Sequence, residues 1–223
     1  MVGVSSRSSR KYLGTGIKMN GYSVKKIPSK LGKSFIKKYH YSKGCHNGPM
    51  TWGLFFEDDL VGVIAFATPC SEAVRASVFG AEHKDRVTEL HRLVVLPQDN
   101  RPRNLTSWFV ARALRFLLAY RPDLRAVISF ADTTEGHYGG IYRSLNFIHC
   151  GMTGSSTFWR DQEGVLRHPR QNGRNISKEQ ALKLGWTAVQ RYSKHRFVLV
   201  IAETKREKRK WSKLMRYKKD DPQ

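Results

Sequence analysis

The stretch from Val87 to Asp132 constrains the fold more than any other part of the chain. VTELHRLVVLP is rich in β-branched residues and is stopped by Pro97, so it reads as a strand. After a turn, Leu105, Trp108, Phe109, Ala113, Phe116 and Leu117 recur at three- and four-residue steps. Arg112 and Arg115 fall on the other side, and Pro122 closes the run, which is the pattern of an amphipathic helix. RAVISFADT then forms a strand of nearly continuous apolar character, as expected for one buried on both faces. Strand, crossover helix and strand make a right-handed βαβ unit, and with it an α/β sheet containing at least one parallel pair.

The flanking sequence supplies the rest of the sheet. Tyr22 to Ile27 reads as a short strand, followed through Pro28 and Ser29 by a helix with Leu31, Phe35 and Ile36 on one face, ending near His40. After the Gly44 to Pro49 loop, TWGLFFE and LVGVIAFATP flank Asp58-Asp59 as a β-hairpin. Beyond Asp132, GHYGGIYRSLNF is a shorter helix, FIHCGMTGSSTFW a strand entering a Gly/Ser-rich turn, and HRFVLVIA the last strand. The turn Gly151 to Ser156 lacks the lysine and spacing of a nucleotide P-loop. Residues 161–195 read as an irregular insert holding one helix, with Ser177 and Gln180 as a capping box and Gly185 as its stop. The organisation is therefore a disordered basic arm over 1–20, a catalytic domain over 21–203, and a basic tail over 204–223.

Charge sets the partner. Forty Lys and Arg against 18 Asp and Glu give +22, with an isoelectric point near 10.2. Such a chain seeks polyanions, and nucleic acid fits because lysines and arginines that neutralise phosphates release condensed counterions. Double-stranded DNA is the expected partner, with transfer RNA a further possibility. No apolar run of membrane-spanning length occurs, and MVGVSSRSSRKYLG has no apolar signal core, so a soluble cytoplasmic protein is expected. In the tail, Trp211 and Tyr217 offer stacking faces among the lysines, and deleting residues 205–223 is expected to leave the fold intact. Cys45, Cys70 and Cys150 show no CxxC spacing and are expected to be reduced and mostly buried. His40, Cys45 and His46 fit no standard metal motif, and no metal is expected.

The order of elements resembles the GNAT acyltransferases, whose sheet is mixed, mostly antiparallel and flanked by helices. Those enzymes carry Arg or Gln, two residues, Gly, one residue, and Gly or Ala where this chain has Arg101-Pro102-Arg103-Asn104-Leu105-Thr106. The spacing survives and the glycines do not. The likeness implies a phosphate-bearing donor, acyl-CoA such as acetyl-CoA, held at this helix start by Arg101, Arg103, Asn104, Thr106 and Ser107. Asn104 and Thr106 are expected to cap the helix. Tyr142 stands where many GNAT enzymes hold a tyrosine that protonates the departing thiolate.

SFADTTEGHYGGIY, together with TELHRLVV and the Asn-Leu-Thr-Ser-Trp helix start, resembles the Mom family of phage DNA-modification proteins over roughly His40 to Trp159. The resemblance implies conversion of adenine in DNA to a carbamoylmethyl-type derivative at its exocyclic amine, which shields phage DNA from restriction, in the host cytoplasm if the chain is phage-encoded. That amine is delocalised into the ring and buried in the duplex, so the base must be flipped and a proton acceptor must help. Asp132 is the first choice as acceptor, with His137 as alternative or orienting group and Ser129 bonding the base or the donor. A helix cap is the competing role for Asp132. His40, His91 and Arg92 are expected on the substrate side; Glu89 and His91 share one strand face, with Arg92 on the other. The missing glycines leave room for an aminoacyl ester on transfer RNA as donor. Two rival functions are a GNAT-type transferase acting on RNA or protein amines, and a non-catalytic nucleic-acid-binding protein.

Overall fold

A computed structural model describes residues 19–167, 169–171 and 174–218. The expected basic arm lies outside these residues up to position 18, as do residues 219–223 of the tail. The elements run β1 (Tyr22–Ile27), α1 (Ser29–Tyr39), β2 (Met50–Phe56), β3 (Asp59–Ala67), α2 (Glu72–Phe79), β4 (Val87–Val95), α3 (Leu105–Tyr120), β5 (Ala126–Asp132) and α4 (Gly140–Ser144). They continue with β6 (Ile148–Met152), β7 (Ser156–Arg160), β8 (Leu166–Arg167), β9 (Arg170–Gln171), β10 (Arg174–Asn175), α5 (Lys178–Lys183), β11 (Thr187–Arg191), β12 (Lys194–Val200) and α6 (Lys205–Leu214).

Seven strands form one sheet in the order β1-β2-β3-β4-β5-β12-β6. All neighbours are antiparallel except β4 and β5, the parallel pair that the crossover helix α3 demands. The expected mixed, mostly antiparallel sheet flanked by helices is the observed one. Period-two alternation sorts the core. Val127 and Ala131 of β5 and Phe197 and Leu199 of β12 face α3 and α4, whereas Ala126, Ile128, Val198 and Val200 face α2 and the end of α6. α1 covers the same second face further along, over Val63, Ala65 and Val94. β5 is thus buried on both sides, as its apolar run requires.

Several sequence expectations change. On α1 it is Gly32, Phe35 and Ile36 that are buried, and Leu31 is 45% exposed. A Cβ at position 32 would press on Thr51, so this helix approaches the sheet too closely for a side chain there. Residues 71–86, which carry no strong period, form α2, capped by Ser71, and a 3-10 turn. The tail is helical over α6, where Thr204 accepts a hydrogen bond from the Glu207 amide at 3.1 Å. Trp211 packs on Phe79 and His83, and Tyr217 donates to Ser77 Oγ at 2.5 Å. Neither ring is a free stacking face, and the tail cannot be removed without opening the core beneath it. Of the three free cysteines only Cys150 is buried; Cys45 is half-buried and Cys70 exposed. Within the insert the Ser177–Gln180 capping box forms as expected, and β11 joins β7 and β8 in a second, three-stranded sheet.

Candidate active site

β4 and β5 pair only from Val87 to Glu89 against Ala126 to Ile128. Beyond this point the strands part, and Ser129 Oγ bridges the start of the gap by donating to the Leu90 carbonyl at 2.9 Å. The gap opens into a cavity of about 510 Å³, in the range of small-molecule sites. Its walls come from β4 (Glu89, His91, Arg92), the end of β5, the Gly136–Gly140 loop with His137 and Tyr138, Tyr142 of α4, His40 and Tyr41 after α1, and Lys194 of β12. Gly139 makes the loop possible: it has φ 77°, and a Cβ there would overlap the Phe197 ring.

A bulge aims β4. Ala65 pairs with Arg92 and Phe66 with Leu90, so His91 is the extra residue. The bulge breaks the expected alternation, and Arg92 lines the cavity together with Glu89 and His91 instead of pointing away. Arg92 is fixed by its own donors, to the Gly44 carbonyl at 2.8 Å and the His91 carbonyl at 2.7 Å. His91 Nδ1 lies 3.3 Å from Glu89 Oε1, and burial holds the imidazole below its ordinary pKa although Glu89 pulls the other way. His91 Nε2 is buried and has no hydrogen-bond partner. His40 is lowered to about 4 by burial, with Arg92, His137 and His91 adding to the effect. His40 and His91 are therefore neutral imidazoles at pH 7 beside a fixed guanidinium.

Tyr142 sits at the cavity wall with its ring 5.1 Å from that of Phe197. Burial raises its pKa, against the opposing effect of a hydrogen bond with Ser129, so the phenol keeps its proton. Tyr41 is raised to about 12, chiefly by burial and then by Asp132, and its ring meets His137 edge-on at 5.4 Å. Ser129 is fully buried and reaches the cavity only through Tyr142, not by lining it.

Asp132 stands apart. It is 2% exposed and accepts from Arg191 at 2.6 Å, Lys194 at 3.0 Å and the Thr134 amide at 3.1 Å. Burial opposes its charge, yet Lys194 and Arg191 outweigh burial and hold the carboxyl below the usual range. Arg191 also reaches Glu135 at 2.9 Å, the Tyr192 amide donates to Thr134 Oγ1 at 3.0 Å, and Thr133 Oγ1 donates to the Ser193 carbonyl at 2.6 Å. The insert thus pins the loop that delivers His137 and Tyr138. Asp132 does not line the cavity.

The start of α3 is separate from these walls. Asn104 occupies the N-cap position at φ −95°, ψ 10°, but no side chain caps the helix, contrary to the capping expected of Asn104 and Thr106. Ser107 donates back to the Asn104 carbonyl at 2.9 Å. Arg101 and Arg103 are exposed beside this uncapped end. Of His40, Cys45 and His46, the fold brings His46 to Glu89 and His91, with one ligand-type atom from each all within 4.8 Å of one another. Cys70 Sγ is 3.3 Å from His46 Nε2. Tyr41, Tyr138 and Lys194 escaped the sequence reading as site residues; the gap beside the β4 bulge collects them with Glu89.

This is a mixed-sheet α/β protein with a polar, histidine-lined pocket at the parting of its parallel strands. The sequence profile of the Mom protein family matches residues 21–219, and the chain belongs to that family. It is 30% identical over 142 residues to the methylcarbamoylase mom of Escherichia phage Mu; the match covers 63% of this chain and 58% of that protein, a little over half its length. Among solved structures, the ribosomal-protein-S18-alanine N-acetyltransferase of Escherichia coli is similar with a TM-score of 0.48 at 8% identity, over 82% of this chain and 96% of that one. A spermidine N-acetyltransferase of Vibrio cholerae gives 0.45 at 10% identity, over 81% and 94%. Among the described residues no helix is long and apolar enough to cross a membrane.

Proposed function

We propose that this chain is a transferase that modifies the exocyclic amine of adenine in DNA, a phage DNA-modification enzyme protecting its genome from restriction. The observation that carries the reading is His91: a neutral, buried imidazole with Nδ1 on Glu89 and Nε2 without a partner, in the wall of the strand-gap cavity of a Mom family chain. A flipped adenine entering there presents its amine to a base held by a carboxylate, the arrangement that suits proton abstraction near neutral pH. The new bond joins the adenine nitrogen to the donor's electrophilic carbon. The amine proton passes to His91, and Tyr142, kept protonated by burial, donates to the departing group. Asp132, with its oxygens already engaged by Arg191 and Lys194, holds the loop, and the base role expected of it passes to His91. Arg101 and Arg103 at the uncapped start of α3 suit the phosphates of acyl-CoA or of an aminoacyl-tRNA donor.

A second reading is favoured by the spacing of His46, Glu89 and His91. A divalent cation held by these three would make His91 a ligand and not a base, and would supply Lewis-acid assistance at the same wall. Activity that survives exhaustive chelation identifies the base; activity lost on chelation and restored by one metal identifies the ligand.

The direct test is mass analysis of nucleosides from cells expressing the chain, with digestion of the same DNA at adenine-containing restriction sites. A mass-shifted deoxyadenosine and resistant DNA are expected. Unmodified nucleosides from soluble, well-expressed protein overturn the proposal.

A further inference from the structure

Helix α6 has the composition of a solvated tail and the anchoring of a structural element. Its inward side is fixed by Glu207 to Arg125 at 2.7 Å and Trp211 against Phe79 at 5.1 Å between ring centroids, and the segment that follows it by the Arg216 amide to the Val78 carbonyl at 2.9 Å and the Tyr217 hydroxyl on Ser77. Its outward side carries Lys205, Arg206, Lys208, Arg209, Lys210 and Lys213, all exposed. Among the described residues no acidic side chain pairs with any of the six, because Glu207, the one acid of the helix, is turned to Arg125. Like charges four residues apart, as at 205/209, 206/210 and 209/213, oppose helix formation. The packing of Trp211 holds the array in place despite that repulsion.

We propose that α6 is a phosphate-binding ridge that grips the backbone of duplex DNA away from the catalytic pocket; the inference rests on DNA being the substrate. Three features select this occupant. The charges are presented on a rigid helix, since eight steps from Lys205 to Lys213 cover about 12 Å, the length over which one strand of a duplex carries roughly three or four phosphates at ~3.4 Å spacing. The aromatic rings are turned inward, so nothing on this face stacks on unpaired bases, which disfavours a single strand. The ridge also sits at the start of β5, by Arg125, while the pocket lies at the far end, by Ala131. Six residues of strand separate them by about 20 Å. A duplex whose base enters the pocket has flanking backbone at that range.

The experiment compares binding of a fluorescent 30-base-pair duplex across a salt series for the full chain and for the variant Lys205→Gln, Arg206→Gln, Arg209→Gln, Lys210→Gln. Each lost phosphate contact removes about 0.9 from the slope of log affinity against log salt, so the slope is expected to shrink by about 3 to 4. The melting temperature is expected not to fall, because removing repelling charges relieves the helix and Trp211 is untouched. A control variant neutralises Lys25, Lys30, Lys37 and Arg115, exposed elsewhere. If the control flattens the slope as much, general charge explains binding and the ridge is refuted. An unchanged slope in the α6 variant, with a steep slope in the parent, also refutes the ridge but leaves the DNA reading standing. A parent that binds the duplex without salt dependence removes the DNA reading itself. Selective loss of binding to a structured RNA hairpin, with the duplex unaffected, assigns the ridge to RNA and overturns the proposal.

Discussion

Arg125 at the start of β5 reaches Glu207 of α6, and Asp132 at its end receives Arg191 and Lys194 from the strands of the insert and β12. Both ends thus use an ion pair to fasten a late segment of chain onto one central strand. They differ in what surrounds the pair. At the start, Phe79, Trp211 and Val87 close the space with apolar surface. At the end, β4 has already separated from β5, and the space is left to imidazoles, a guanidinium and a phenol. The lesson is that an ion pair at a strand end marks an attachment, and the polar space lies beside it, where a buried atom such as His91 Nε2 has no partner.

The largest effect expected from breaking this contrast is at the pocket end. His91→Gln keeps a hydrogen-bonding side chain but removes a titratable base, and Tyr142→Phe removes only a hydroxyl. Each is expected to slow single-turnover modification at least about a hundredfold with melting unchanged, the usual scale for a positioned acid or base. Asp132→Asn is expected to lose more stability than rate. A normal rate in His91→Gln, or a hundredfold slower Asp132→Asn that melts normally, reverses the assignment.

At the other end the prediction is structural. Trp211→Ala opens a half-buried cavity between α6 and α2, at a cost of about 3 kcal/mol and a drop of about 6–12 °C in melting temperature for a chain of this size. Rate at saturating substrate is expected to hold at temperatures where the variant is folded. A melt unchanged from that of the parent means that α6 is not part of the core.

The contrast also explains what the sequence made legible. The β4-α3-β5 unit could be read because long periodic segments encode both type and partner, and the Pro97 and Pro122 stops bound them. SFADTTEGHYGGIY lies at the end of β5 where the cavity opens, and Tyr142, His137 and His91 line that cavity together. The partners of Asp132 are not legible locally, because Arg191 lies 59 residues away in an insert without strong period. Arg92 misled because a one-residue bulge at His91 shifts every later side chain, and nothing local announces it. The tail reads in sequence as a basic segment with free stacking faces because its charge hides a narrow apolar stripe of Trp211, Met215 and Tyr217.

Arg191→Ala tests the attachment at the pocket end. It removes the fork that joins Asp132 to Glu135 and leaves a buried carboxylate with Lys194 and one amide, a loss of about 2 kcal/mol. Arg191→Lys is expected to recover only part of it, since an ammonium cannot span two carboxylates as a planar fork does. Chemical denaturation at neutral pH measures both. Full recovery by lysine reduces the contact to simple charge.

The smallest effect expected is a pH dependence that separates the two ends by titration. His40 beside the pocket has its folded pKa lowered to about 4 against an ordinary value of 6.5, chiefly by burial, with Nδ1 accepting from the Ser42 amide at 3.1 Å. Because the folded value is depressed, the unfolded chain binds the proton more readily between the two values. Stability tied to neutral His40 is therefore complete above about pH 6.5, declines as pH falls, and levels off below about pH 4. Asp132 is lowered too, but from the carboxylate range, so its contribution is lost only at still lower pH. His40→Gln, which keeps an acceptor for Ser42 and cannot titrate, is expected to make the unfolding free energy shallower between pH 6.5 and 4.5, the remaining slope coming from His91 and His195, which are also lowered, while leaving the acid limb below it in place. If the variant and the parent lose stability in parallel across that interval, His40 is not held neutral by the pocket, and the slope belongs to another group.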